Sequence, residues 1–87
     1  MPNTHDQDKR YEVQSVTRAA HLLDLVGSAG AGGLGVTEIA GQLKVAKSTA
    51  LSLARTLGAA GLLRAVDPGP RYVLGLNLLR LGDLEHQ

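Results

Sequence analysis

Cysteine, phenylalanine and tryptophan are absent from this 87-residue sequence, and its aromatic residues are limited to Tyr11 and Tyr72. Without cysteine there is no disulfide scaffold, no thiolate zinc site and no cysteine nucleophile. Without Phe or Trp the buried mass has to come from Leu, Val, Ile and Ala, which suits short helices packed through small side chains. Long apolar runs are lacking too: no segment approaches the roughly 18 uninterrupted apolar residues of a membrane helix, and Met1 to Glu12 is polar with no signal-type apolar stretch. No membrane partner is expected, and a cytoplasmic location is the default. His5, His21 and His86 lie too far apart to share a metal site on one helix, and the eight acidic residues are scattered in polar contexts. No metal, cofactor or enzyme activity is expected.

What is present is a composition near that of soluble globular domains, 44% apolar and 20% charged, in a length that fits one small domain. The net charge of +1 hides an uneven distribution. Residues 1–43 carry −2, residues 44–71 carry +4 from Lys44, Lys47, Arg55, Arg64 and Arg71 against Asp67, and the remainder carries −1. The basic charge therefore sits on the middle third, as expected of a chain with an anionic partner.

Apolar residues recur at helical spacing in three stretches. Val16, Ala19, Ala20, Leu23 and Val26 define a first helix, with Ser15 as its expected N-cap and the glycine run from Gly27 to Gly35 as its stop. The glycine run itself reads as a flexible connection. A second helix begins near Val36 or Thr37, capped either by Thr37 or by Gly35 with Glu38 three residues on, and carries Ile39, Ala40 and Leu43. After Lys44-Val45-Ala46 a third helix presents Ala50, Leu53, Ala54, Leu57 and Ala60, tolerates Gly58, and ends at Gly61. The period then changes. Leu62 to Val66, Asp67-Pro68-Gly69-Pro70 and Arg71 to Leu74 read as strand, turn, strand, with the prolines confined to the loop. A last helix starts at Leu76, and its leucines either cover the core or meet a partner helix.

The pair of short helices with a tight turn carries the chemistry. Such a helix-turn-helix presents its second helix to the major groove of DNA and holds it by apolar contacts to the helix before. Ala40 is the small residue where the two helices cross most closely. Lys47, Ser48, Ser52 and Arg55 fall on the polar side of the third helix, with Thr49 at its margin. A solvated polar face is the competing interpretation, but the hairpin with Arg64 and Arg71 that follows directly makes the arrangement a winged helix, whose wing touches the phosphate backbone. The fold class expected is mainly α with a small β-hairpin, a winged helix-turn-helix.

The stretch Val13 to Ala20, then Val36-Thr37-Glu38-Ile39-Ala40, Lys47-Ser48-Thr49, Leu57 through Leu63, and Arg71-Tyr72-Val73-Leu74-Gly75 resemble, in order and spacing, the N-terminal DNA-binding domain of IclR-type bacterial transcription regulators. The resemblance runs from Val13 to Gly82. It implies a winged helix-turn-helix over residues 13–75 that binds double-stranded, palindromic operator DNA as a homodimer, after a flexible arm over residues 1–12 and before a linker helix starting in residues 76–87. It also implies a larger effector-binding domain, absent from this chain, through which alone a small-molecule effector would act. The DNA-binding set expected is Lys47, Ser48, Thr49, Ser52, Arg55, Arg71 and Arg64, with Arg18 on the first helix reaching a phosphate or else forming an ordinary surface charge or ion pair.

Three departures from the family pattern bear on mechanism. Lys44 and Ala46 stand where the family has Gly and Pro, so the turn needs Lys44 at positive φ, at a cost of about 1 kcal/mol. Ser52 stands where the family commonly has Arg, which removes one long donor for phosphate or guanine. Leu51 is apolar on an exposed side and touches either a thymine methyl or the protein. Two other functions remain as alternatives. One is a winged helix used for protein interaction or dimerisation without DNA. The other is a nucleotide-binding enzyme fragment, suggested by Gly30 to Gly35, which satisfies G-x-G-x-x-G; it follows a helix, however, and lacks the acid about 20 residues on that would hold a ribose.

Overall fold

The computed structural model describes residues 11–84. Most of the expected arm, together with His5 and His86, lies outside the described residues. The elements are α1 (Gln14–Ala29), β1 (Leu34–Gly35), α2 (Val36–Leu43), α3 (Lys47–Ala59), β2 (Leu63–Val66), β3 (Arg71–Leu74) and α4 (Leu76–Leu84).

Helix α1 is longer than its sequence suggests at both ends. It starts at Gln14 and not Ser15, because the Val13 carbonyl accepts the Val16 and Thr17 amides at 3.0 and 3.1 Å and no side chain caps it. At the other end it runs through Gly27 to Ala29 and stops at Gly30, with φ 80°. Glycine costs only about 1 kcal/mol inside a helix. At Gly27 a Cβ would lie 3.4 Å from a Leu74 methyl, an ordinary packing contact, so α1 lies against β3 there without needing glycine.

The glycine run is a built connection, which corrects its reading as flexible. The Gly33 amide bonds the Gly30 carbonyl at 3.1 Å, and Leu34–Gly35 pairs antiparallel with β3, Leu34 opposite Tyr72 and Gly35 opposite Arg71. Position 33 needs glycine twice over: its φ is +69°, and a Cβ there would collide with the Tyr72 carbonyl oxygen. The expected two-stranded hairpin is consequently the larger part of a three-stranded antiparallel sheet of order β1-β3-β2. Its β2–β3 register pairs Leu63 with Leu74 and Val66 with Arg71.

Gly35, not Thr37, caps α2. Glu38 Oε1 accepts the Gly35 amide at 2.8 Å, tying the third residue of the helix back to its entry. The helix ends on Lys44 in the left-handed conformation, φ 59° and ψ 48°, with the Val45 amide bonded to the Ala40 carbonyl. Helix α3 ends in a Schellman arrangement: Gly61, φ +77°, donates to the Gly58 carbonyl and Leu62 to the Leu57 carbonyl. The chain then returns as β2 across the end of α3.

The core is Leu22 and Val26 of α1, Ile39 and Ala40 of α2, Ala50, Ala54 and Leu57 of α3, Leu63 of β2 and Tyr72 of β3. Alternation along β3 turns Tyr72 inward, 6% exposed, and Arg71 to the opposite face. Helix α4 buries no residue, and Leu76, Leu79, Leu81 and Leu84 are exposed. Among the described residues, no helix is long and apolar enough to cross a membrane.

The left-handed penalty at Lys44, about 1–2 kcal/mol, exceeds the unfolded-state entropy that glycine adds, about 0.5–1 kcal/mol, so Lys44→Gly is expected to raise stability by about 0.5–1 kcal/mol. Gly33→Ala is expected to lower it by about 2 kcal/mol or more, since strain and collision act together. Thermal unfolding of both variants checks the two signs.

Candidate nucleic-acid interface

Ala40 of α2 and Ala50 and Ala54 of α3 are buried in the shared core, so the opposite side of α3 faces outward. Positions 47, 51 and 55 share that outward side at i, i+4 and i+8. Lys47, Leu51 and Arg55 form one wall of an open cleft. Its other walls are the start of α2, Gly35 to Glu38, and the wing loop from Pro68 to Arg71. Lys47 and Arg55 are exposed while Leu51 is half-buried, so two cations flank an apolar step on a rod-shaped helix.

The expected polar face of α3 divides. Ser48 is exposed beside Lys47, and Thr49 is half-buried towards the protein. Ser52 is exposed but lines a different groove, an apolar one between α1 and α3 with Ser15, Val16, Ala19 and Leu23. The Ser52 carbonyl also accepts the Thr56 hydroxyl at 2.8 Å. The two serines and Thr49 therefore run around the helix away from the wing, while Lys47 and Arg55 look towards it.

The arginines expected on the backbone are distributed over three places. Arg64 lies at the root of β2 beside the end of α1, with Val26, Gly27, Gly30 and Ala31 around it. Arg18 is half-buried in a depression between α1 and the end of α2, with His21, Asp24 and Gln42. Neither lines the α3 cleft. Arg71 does, but its guanidinium is turned inward. Nε donates to the Gly32 carbonyl at 2.9 Å, and Nη2 donates to the Gly33 carbonyl at 2.9 Å and to Glu38 Oε1 at 3.2 Å.

The sequence reading did not select Val36, Thr37, Pro68, Gly69 or Pro70 as part of the site. Their signal is positional only: the entry of α2 and the wing tip flank α3 in a winged helix, whatever residues occupy them. Among the described residues, no group of three His, Asp or Glu side chains is placed to hold a metal ion.

Three helices, a tight left-handed turn before the outward helix and a hairpin beside it make this a winged helix-turn-helix domain. The chain belongs to the IclR helix-turn-helix domain family, whose model matches residues 15–67. It is 44% identical over 70 residues to the glycerol operon regulatory protein of Streptomyces coelicolor, covering 80% of this chain and 27% of that protein. It is 41% identical over 71 residues to the protein of the same name in Streptomyces griseus, covering 82% of this chain and 28% of the relative. Among solved structures it is similar to an IclR transcriptional regulator from Alicyclobacillus acidocaldarius, with a TM-score of 0.76 and 35% identity over 86% of this chain and 30% of that one. A Brucella abortus IclR family regulator gives a TM-score of 0.75 and 30% identity over 87% and 28% of the two chains. The chain thus spans under a third of the length of the relatives it matches.

Because Lys47 and Arg55 are exposed and make no hydrogen bond or ion pair among the described residues, Lys47→Ala and Arg55→Ala are each expected to leave stability within about 0.5 kcal/mol of the parent. Denaturant unfolding measures this, and it separates any effect on binding from an effect on folding.

Proposed function

We propose that this domain binds duplex operator DNA sequence-specifically, with α3 in the major groove and the wing loop along the phosphate backbone, as the DNA-reading part of a bacterial transcription regulator in the cytoplasm. The observation that carries this is the single cleft in which Lys47, Leu51 and Arg55 of α3 face the wing loop. A helix of this kind fits the major groove, and cations at its first residue and two turns further along meet the phosphates that border the groove. Ser48, Thr49 and Ser52 supply short donors and acceptors on the next side of the helix, and Leu51 supplies an apolar contact of the kind that reads a thymine methyl. Arg18 and Arg64, lying outside the cleft, are reserved for phosphates further along the duplex.

The Streptomyces relatives are named for an operon they regulate, which supports operon control as the role of the whole protein. Effector sensing belongs, in this reading, to a following domain of the kind that makes up the rest of the relatives' length. Two domains are proposed to act as a homodimer on a palindromic site, since one recognition helix reads only a few base pairs. The surface available for pairing is apolar and exposed: Val13 and Val16 at the start of α1 and Leu76, Leu79 and Leu81 of α4, with Leu78 half-buried beside them.

Selection of bound duplexes from a random library tests the reading, and the expected result is an enriched palindromic motif. Lys47→Ala and Arg55→Ala are each expected to weaken binding to all duplexes and to lower the log–log salt slope by about 0.9, the value of one phosphate contact. Replacing Ser48, Thr49 and Ser52 together by Ala is expected to alter the selected motif with little change in salt slope. Sedimentation with a palindromic duplex is expected to give two chains per duplex at saturation; one chain per duplex would exclude the homodimer.

A further inference from the structure

Arg71 is the charge that a sequence reading assigns most readily to a phosphate, and the structure gives it other work. Its guanidinium is caged by two backbone carbonyls and a carboxylate, each within 3.2 Å. The carbonyls belong to Gly32 and Gly33, the connection between α1 and β1. The carboxylate oxygen is the one that also holds the Gly35 amide at the entry of α2. Arg71 is itself the first residue of β3, directly after the wing loop, and pairs with Gly35 across the sheet. One side chain thereby joins the wing root, the glycine connection and the helix that packs against α3.

Building on the DNA-binding reading above, we infer that Arg71 and Glu38 are positioning residues: they clamp the wing at a fixed distance from α3 and set the width of the cleft, and Arg71 does not contact phosphate. Three features support this. Nε and Nη2 are both committed to acceptors within the chain, so only Nη1 is left to face solvent, and a phosphate gripped through the Nε–Nη2 edge would have to displace charge-assisted hydrogen bonds already made. The two carbonyls accept from a planar fork whose donors are fixed in direction, a geometry that an ammonium group cannot reproduce. Glu38, an acid on the wall of a cleft meant for a polyanion, uses one carboxylate oxygen for both the Gly35 amide at the entry of α2 and the Arg71 guanidinium, which ties the helix cap to the wing root. As a surface ion pair it adds little to stability, with the two side chains 40% and 52% exposed, so its use is in fixing geometry.

The test rests on signs. Glu38→Ala and Glu38→Gln each remove one negative charge from the cleft, so if charge alone governed, both would tighten DNA binding equally. As a clamp, Glu38→Ala weakens binding about fivefold, whereas Glu38→Gln, which keeps an acceptor oxygen for Gly35 and Arg71, stays close to the parent. For Arg71→Gln the expected result is a similar weakening with an unchanged salt slope, and for Arg71→Lys the same weakening although the charge is kept. All four are measured as titrations on one selected duplex at several salt concentrations, below the unfolding midpoint of each variant. A salt slope lowered by about 0.9 in Arg71→Gln, or parent-like affinity in Arg71→Lys, would overturn the clamp while leaving the DNA-binding reading intact. A parent chain that binds no duplex would overturn both, and is seen before any variant is made.

Discussion

With Tyr72 as the one aromatic ring in its core, this domain excludes water by bringing backbones close together. Ala40, Ala50 and Ala54 put only single methyl groups into the core that α2 and α3 share, and at Gly33 the chain meets β3 with no room for a side chain at all. Close approach makes each contact sensitive to direction. A larger residue at any of these points would push α3 or the sheet outward, and with it the wall of the cleft. The small-residue core and the geometry of the site are in this sense linked: the core sets where Lys47, Leu51 and Arg55 stand, and the polar junction at Arg71 sets where the wing stands beside them.

The three-stranded sheet transmits that constraint. A hairpin alone would be joined to the helices through β2 and through the packing of Tyr72. Strand β1, though only two residues long, adds a second attachment, because it leads directly into α2 and its pairing with β3 holds the wing root at the entry of that helix. The Glu38 carboxylate, the Gly35 amide and the Arg71 guanidinium meet at this junction. Backbone pairing fixes the register there, and the side chains fix the angle.

Helices α2 and α3, their turn and the hairpin were legible in the sequence because each leaves a local signature: a 3.6-residue apolar period, a Gly61 stop and prolines confined to a loop. The strain at Lys44 was legible too, through the resemblance: lysine stands there where the family pattern has glycine, and its φ is 59°. Strand β1 leaves no such mark. Two residues cannot show alternation, and the pairing exists only because β3 offers an unpaired edge. At Gly27 the helix runs past Leu74, 47 positions further on, and no window of local sequence contains both. At the site, the residue types on α3 were readable but not the division between the wing side and the α1 side. The inward turn of Arg71 was unreadable for a related reason: a basic residue on a wing is attracted to a phosphate and to a cage of carbonyls alike, and only the path of the glycine connection brings the carbonyls within reach.

This distribution of cations bears on how such a domain binds DNA at all. Of the five basic residues in the middle third, Lys44 closes the turn after α2, Arg71 lines the cleft but is engaged within the chain, and Arg64 stands away from it, leaving Lys47 and Arg55 as the cleft's unengaged cations. With Arg18 and Arg64 on phosphates further along the duplex, four contacts correspond to a log–log salt slope of roughly −3.6, below what proteins with six to ten such contacts display. A single domain with so shallow an electrostatic term holds any one stretch of duplex weakly at physiological salt. In the proposed reading this weakness serves discrimination, because affinity that does not come from phosphates has to come from base edges and from a second domain on the same site. Pairing doubles both the electrostatic and the base-reading terms on a palindrome, but not on a sequence with only one half-site. A modest net charge is therefore compatible with sequence-specific binding, provided that the wing and α3 are held rigidly enough for the two copies to engage together.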